Sequence, residues 1–272
     1  MADAHAIPVL MYHHVSPSPG LITVSPENFR AQMGWLAREG WHAIGCADLA
    51  RFLQGEALPE RSVLITFDDG YLDNWVHAAP ILAEQGLRAA LFLITGRIGD
   101  GPPRPQAPAA DAPHCPDHNG CKTRIAADDA DSVMLRWSEV ESLRAAGTFE
   151  FHSHTHTHLR WDRSETDPAM RDRRLAEDLA ISRDLLAQHL GECSSHLCWP
   201  QGFYDTRYIT IAQSLGLSHL HTTEPGTVRH GTDPSRIPRI VVKDRGTDWF
   251  AARMTLYRQP LLGRLYLALR AN

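Results

Sequence analysis

Seven short apolar runs, separated by amphipathic helical patterns, constrain the fold of this chain more than any other feature. Apolar runs of this length between helices are typical of buried parallel strands. A series of βα units places this chain in the α/β class and predicts a distorted (β/α)7-type barrel with mainly parallel strands. The predicted strands are Pro8–Tyr12, Val63–Phe67, Ala89–Ile94, Phe149–His152, His196–Trp199, Ser218–Thr222 and Ile237–Val242.

The helices between these strands are marked by capping residues at their starts and by glycines after their ends. Ser138-Glu139-Val140-Glu141, for example, is a capping box that predicts a helix ending at Gly147. Five other helices are predicted: one from Ser25-Pro26 to before Gly40, one from about Asn74 to Gln85, one from Asp167-Pro168 to Gly191, one from Asp205 to near Gly216, and one over roughly Asp248 to Arg258.

The length of 272 residues, 43% of them hydrophobic, suits one domain over residues 1–272. The segment 99–132 is rich in Pro, Ala and Asp and lacks periodicity, so it is interpreted as a surface insertion near the site. Its Cys115 and Cys121 leave three alternatives open: a structural zinc site, a disulfide, or a lid-like loop without a ligand. The odd total of five cysteines favours mostly free thiols in a reducing compartment.

Charge and hydropathy exclude several classes of protein. The net charge is −5 and no basic block is present, so a nucleic-acid partner is not expected. No signal peptide and no bilayer-spanning run are visible, and we expect a cytoplasmic protein without an integral membrane segment. A trimmed form of an exported protein is the alternative. The stretch Trp249–Leu269 mixes Arg with apolar residues and is either a docked terminal helix or a weak contact with a membrane surface.

Two adjacent carboxylates, Asp68 and Asp69, stand at the end of the second predicted strand. Such a pair is costly there unless a cation holds it, although an N-cap pair for the following helix is the alternative. Carboxylates together with imidazoles form a ligand set for zinc or a similar divalent metal. The carboxyl ends of parallel barrel strands meet on one face, so the segment His152–His158 is expected near the two aspartates.

The alternating histidines 152, 154, 156 and 158 cannot all bind one metal in an extended strand, because the outer two would lie about 20 Å apart. The chain must therefore turn after about His152. In a helical turn, residues four apart come within about 5–6 Å. Either His152 with His156 or His154 with His158 then shares the metal, and spacing alone does not choose between the pairs.

Thr66–Gly70 and Ser153–His158 resemble the first two motifs of the NodB-homology polysaccharide deacetylases, which are metal-dependent enzymes that remove N-acetyl groups from sugars. This resemblance implies the NodB-homology barrel and maps the histidine ligands onto His154 and His158. Asp69 would complete the ligand set and Asp68 would be the general base. The implied cofactor is one divalent metal, with zinc first and Co, Ni or Fe as alternatives.

Tyr12-His13-His14-Val15 is similar to the N-terminal motif of the poly-N-acetylglucosamine deacetylase branch of that family. By this resemblance His13 would be the general acid that protonates the leaving amine, and His14 would be structural. The late Leu-x-His motif that supplies the acid in other branches is absent. His219 and His221 remain weaker candidates for the acid.

Trp199-Pro200-Gln201 resembles the third motif of the family. The backbone N–H of Gln201 would stabilise the tetrahedral oxyanion, and Trp199 would wall the acetyl pocket unless it is a plain core residue. Tyr204 follows in the same motif and is a candidate substrate contact. Arg239 either pairs with Asp68 and keeps it ionised or is a surface arginine.

The function implied by this resemblance is removal of N-acetyl groups from an amino-sugar glycan, for example an exopolysaccharide, an oligosaccharide or a precursor. Two alternatives stay open. One is a deformylase or another amidohydrolase on the same scaffold, because the pocket and not the fold decides the substrate. The other is a glycan-binding relative without catalysis, against which the intact Asp68 argues.

Overall fold

The structure is a computed structural model that describes residues 3–259 and 263. Seven parallel strands form a closed ring in the order β1, β5, β6, β7, β8, β9 and β10, and β10 pairs with β1 again. All seven predicted strands are present, which confirms the predicted α/β barrel. The strands of the described residues are β1 Val9–Tyr12, β2 His14–Val15, β3 Thr23–Val24, β4 His42–Ala43, β5 Ser62–Asp69, β6 Ala89–Leu93, β7 Phe149–Ser153, β8 His196–Cys198, β9 His219–Pro225 and β10 Ile237–Val241.

The helices lie around this ring, and the predicted starts at Ser25, Asp167 and Asp205 are confirmed, because each of these side chains accepts an N–H of the following turn. The predicted capping box at Ser138 is wrong by two residues, because Arg136 is the N-cap and its N–H donates to the Glu139 carboxylate. The α-helices are α1 Pro26–Arg38, α2 Cys46–Leu53, α3 Ala79–Glu84, α4 His118–Ala126, α5 Trp137–Ala145, α6 Trp161–Ser164, α7 Pro168–Leu190, α8 Thr206–Ser214 and α9 Thr247–Tyr257. A π-helical turn, Asn74–Ala78, precedes α3.

Helix α2 closes the lower end of the barrel, where the strands begin. Its Leu49 and Phe52 are completely buried and pack in one apolar cluster with Val9, Leu64 and Ile237 from the strand starts. The larger core lies outside the ring, between the strands and the surrounding helices. The upper end, where the strands finish, is therefore the end of the barrel left for a site.

The insertion 99–132 is more ordered than the sequence indicated, since it contains helix α4. Cys115 and Cys121 are buried free thiols whose Sγ atoms donate to carbonyl groups, so they form no disulfide. Within the described residues, no cluster of three or more possible metal ligands includes either of them. The buried ion pair of Arg104 with Glu139 ties the insertion to α5.

The C-terminal part of the described chain docks on the barrel. Helix α9 buries Phe250, Met254 and Tyr257 and contacts α1. The rest of the stretch proposed for membrane contact lies outside the described residues, apart from Tyr257–Gln259 and Gly263. Among the helices of residues 3–259, none combines the length and the apolar character needed to cross a bilayer.

Candidate active site

Asp69, His154 and His158 meet at the upper end of the barrel. The Asp69 Oδ1 atom lies 3.3 Å from His154 Nε2 and 3.5 Å from His158 Nε2, and the three residues form one of the possible metal clusters. Burial together with the neighbouring His154 lowers the pKa of His158 to about 4, so its imidazole is neutral at pH 7 and able to act as a ligand. One carboxylate and two imidazoles are the donor set of an open zinc site.

Left-handed backbone conformations direct these donors to one point. Asp69, Thr155 and His158 have φ values of 76°, 67° and 62°, and Gln201 on the facing loop has 54°. Such values are unfavourable for residues with a Cβ atom and are found where the surroundings enforce them, often at functional sites. The turns at Thr155 and His158 replace the extended row of histidines by a compact loop.

Hydrogen bonds to residues outside the cluster hold the segment His154–His158, here called the histidine loop. The His154 Nδ1 atom donates to the Cys198 carbonyl at 2.8 Å, which leaves Nε2 free to bind a metal. Asp178 of α7 accepts the N–H groups of His156 and Thr157, each at 2.8 Å, and also the Trp161 indole N–H. With a donor set and supporting contacts of this kind, the residues present fit a divalent metal ion.

Asp68 points into the barrel and pairs with Arg239. Two hydrogen bonds of 2.7 Å join the guanidinium to both carboxylate oxygens, and both side chains are buried. Burial alone would raise the pKa of Asp68, but the charge and hydrogen bonds of Arg239 outweigh it and hold this pKa well below its usual range. Asp68 is thus an ionised carboxylate beside the metal cluster, and Arg239 is not a surface arginine.

His13 faces Asp68 from the end of β1. Its Nε2 lies 3.8 Å from Asp68 Oδ2, and burial lowers the pKa of His13 although both aspartates oppose that change. His14 is completely buried and bonds to Asp73 at 2.6 Å, while Asp73 also accepts the Val15 N–H. These bonds fix the backbone next to His13, as expected for a structural His14.

A cavity of about 590 Å³ joins these groups. Its lining includes Asp69, His154 and His158, as well as Asp68 and His13, together with Trp199 and Gln201 from the facing loop. Trp199 is both a wall of this cavity and a core residue, since it is 1% exposed and packs on Tyr208. Tyr204 is not among the lining residues, because its hydroxyl bonds to Glu224 instead, and its contact with substrate stays a prediction.

The structure excludes the alternative histidine pair. His152 points down the barrel, where it bonds to Ser194 and Glu150, and His156 bonds to Thr95. His219 and His221, the weaker candidates for the acid, do not line the cavity. The N-cap alternative for Asp68 and Asp69 also fails, because Asp73 is the residue that precedes the following π-helical turn.

Several cavity residues have no motif that the sequence analysis recognised. Tyr71 and Arg97 follow the ends of two neighbouring strands, and that position was the available signal. His118 and Lys122 come from α4 and bring the insertion to the mouth of the cavity. Asp178 is too distant in the sequence for its role in the histidine loop to be inferred.

Sequence comparison relates the chain to one protein family. Residues 55–220 match the sequence profile described as polysaccharide deacetylase, which is more than half of the chain. The chain is 39% identical over 94 residues to a putative polysaccharide deacetylase, YxkH, of Bacillus subtilis, and the match covers 34% of this chain and 33% of that relative. It is 22% identical over 224 residues to the poly-beta-1,6-N-acetyl-D-glucosamine N-deacetylase of Staphylococcus aureus, covering 82% of this chain and 68% of the relative.

Solved structures share the fold at low sequence identity. IcaB from Ammonifex degensii superposes with a TM-score of 0.72 and 24% identity, covering 95% of this chain and 99% of that one. The Streptococcus pyogenes deacetylase PplD in complex with acetate gives 0.73 and 20%, covering 94% and 100%. These likenesses establish the barrel.

Proposed function

Because the chain belongs to the polysaccharide deacetylase family, we propose that it hydrolyses the N-acetyl groups of an N-acetylglucosamine glycan with one bound divalent metal ion, zinc first. The observation that carries this proposal is the position of Asp68. Arg239 keeps it ionised, it is adjacent to the Asp69–His154–His158 cluster, and His13 stands 3.8 Å away. A base and an acid thus flank one ligand set in one cavity.

The residues divide the reaction between them. The bound metal would polarise the acetyl carbonyl and activate the attacking water. Asp68 takes the proton of the water whose oxygen forms the new bond to the acetyl carbon. The N–H of Gln201 is the candidate donor to the developing oxyanion. When the C–N bond breaks, His13 delivers a proton to the sugar nitrogen, and the proton that Asp68 took from the water replaces it, since the two side chains are 3.8 Å apart. The products are acetic acid, which ionises to acetate, and a free amine.

The first substrate class to test is β-1,6-linked N-acetylglucosamine. The printed name of the Staphylococcus aureus relative states that linkage, and the similarity extends over most of this chain. The cavity suits one acetamido sugar, because Trp199 supplies an apolar wall beside the polar groups.

The test is acetate release from N-acetylglucosamine oligomers, linked β-1,6 or β-1,4, by zinc-loaded protein. Release by the wild type, and none by a folded Asp68→Asn variant that still binds metal, is the expected result. The preferred oligomer would then name the linkage.

Two other outcomes would overturn the proposal. Turnover of formylated but not acetylated amino sugars would identify a deformylase. Binding of the oligomers without release of any acyl group would identify a glycan-binding protein.

A further inference from the structure

A second group of metal-ligand side chains lies inside the barrel below Asp68. It comprises Cys46, the first residue of α2, His196, the first residue of β8, and His221 in β9. Cys198 reaches Asp68 across the barrel, so His196, two residues earlier on the same strand, also faces the interior. The proposed deacetylation uses none of these three residues.

The donor atoms of this group are close enough to share an ion. One ligand atom from each residue lies within 4.8 Å of the other two. His196 Nδ1 and His221 Nε2 are 3.1 Å apart. Two imidazoles on a tetrahedral zinc, each bound at about 2.0–2.1 Å, place their nitrogens about 3.3 Å apart. Small side-chain adjustments would therefore bring one sulfur and two nitrogen ligands onto one ion and leave its fourth tetrahedral position to a further donor.

The three side chains of the group are buried. Cys46, His196 and His221 are 1%, 4% and 0% exposed. His221 Nε2 faces His196, whereas the other ring nitrogen, Nδ1, is buried and has no hydrogen-bond partner within the described part of the chain, so no protein group holds Nε2 in one protonation state. Burial lowers the pKa of both histidines and so favours the neutral imidazole that binds metal, whereas burial and the neighbouring Glu150 raise the pKa of the Cys46 thiol, whose proton a bound metal must displace.

The group is also accessible from the side opposite the active site. A cavity of about 580 Å³ is lined by Cys46, His196, Glu150 and His152 and so provides an entry path. Glu150 accepts the Cys46 N–H at 2.5 Å, and Glu150, His152 and Cys46 form a second possible ligand cluster. Cys46 belongs to both clusters and is the residue on which the site depends.

We propose that Cys46, His196 and His221 bind a second metal ion of the zinc class, which fastens α2 to β8 and β9 at the lower end of the barrel. A thiolate and imidazoles are ligands that zinc prefers. The ion would have a structural role, because it joins the helix that closes the barrel to two strands of its wall.

The experiment is a cobalt(II) titration of metal-depleted full-length protein, followed by absorption spectroscopy. A thiolate ligand gives cobalt a near-ultraviolet charge-transfer band, which a site of Asp69 and two histidines cannot give. We expect two equivalents of bound cobalt with the band in the wild type. The band should be absent in Cys46→Ser and present in Cys193→Ser and Cys198→Ser, which change the other thiols near the two sites.

A second arm does not depend on the folding of Cys46→Ser. A double variant, His154→Gln with His158→Gln, should lose one equivalent and keep the band. X-ray absorption of the zinc-loaded wild type should show a sulfur neighbour at about 2.3 Å. Three results would overturn the proposal. The first is a single equivalent of bound metal without a charge-transfer band or a sulfur neighbour. The others are a band that persists in Cys46→Ser and a band that is lost in Cys193→Ser or Cys198→Ser. No substrate is needed, so the result stands apart from the test of deacetylation.

Discussion

The two ends of the barrel interior use similar side chains in different ways. At the upper end, Asp69 and His158 have left-handed backbones, and their cluster opens into a cavity. At the lower end, Cys46, His196 and His221 begin or lie within regular elements, and α2 closes the barrel beneath them. A site that must admit substrate is built on strained loops, whereas a site that only joins elements needs no such strain.

The largest expected effect concerns the upper cluster. Replacing His154 and His158 together with Ala should abolish binding of the catalytic metal and reduce acetate release by at least about 1,000-fold, because several kcal/mol of transition-state stabilisation are lost. Metal analysis and an acetate assay check this. If metal content and turnover are unchanged, the upper cluster does not bind a metal used in catalysis, and the contrast between a catalytic upper end and a structural lower end is wrong.

Asp68→Asn should separate binding from catalysis at the upper end. The amide preserves shape and metal binding but cannot accept a proton, so kcat should fall by about 100- to 1,000-fold. The control is Asp184→Asn, which changes an exposed carboxylate on α7. Full activity of Asp68→Asn would remove it as the base.

Asp178→Asn tests whether the loop contacts matter for the ligands. It should weaken metal affinity by about 10- to 100-fold, the usual effect of losing a partner that orients ligands. The affinity is measured by competition with a chromophoric chelator. Asp184→Asn on the same helix should leave it unchanged, and an equal effect of both variants would contradict the assignment.

Arg239→Lys should move the pH profile. Arg239 lowers the pKa of Asp68, and lysine keeps the charge but loses the paired contact, so that pKa should rise. Asp68 then stays protonated to higher pH, and the acidic limb of kcat/KM should shift upward by about one unit. The matched control is Arg236→Lys, whose exposed guanidinium lies over Tyr204. A shift in both variants, or in neither, would argue against this pairing.

The smallest effect on turnover is expected from Cys46→Ser. It should leave acetate release nearly unchanged and lower the Tm of zinc-loaded protein by several degrees. Chelation should lower the Tm of the wild type further than that of the variant. A large loss of activity would mean that the two ends are not separate in function.

Much of this architecture could be predicted from the sequence, because strands that are buried on both faces produce apolar runs that need no tertiary information. The helix starts at Ser25, Asp167 and Asp205 were predictable for a similar reason, since each side chain caps the following turn locally. The start at Arg136 could not be predicted, because arginine is not a typical N-cap residue. The cap is made instead by the Glu139 carboxylate, which accepts the backbone N–H of Arg136.

The candidate site was less accessible to such reasoning. The spacing of the histidines left two pairs open, because the choice depends on left-handed turns at Thr155 and His158 that no local rule predicts. Arg239 could be matched with Asp68 only as one of two alternatives, since their contact crosses the barrel between distant strands. His118 was missed as a cavity residue because the insertion has no periodicity from which its fold could be read.

The insertion 99–132 lines the cavity without supplying any of the proposed reacting groups. Its α4 supplies one wall of the cavity through Lys122 and Ile125, and the chain that carries it leaves the barrel after β6 and returns before β7. Anchors outside the reacting groups hold it, among them the bond of Ser16 to the Cys115 carbonyl. Changes in its length or composition can therefore reshape the entrance for different sugar chains while every strand-end ligand keeps its place.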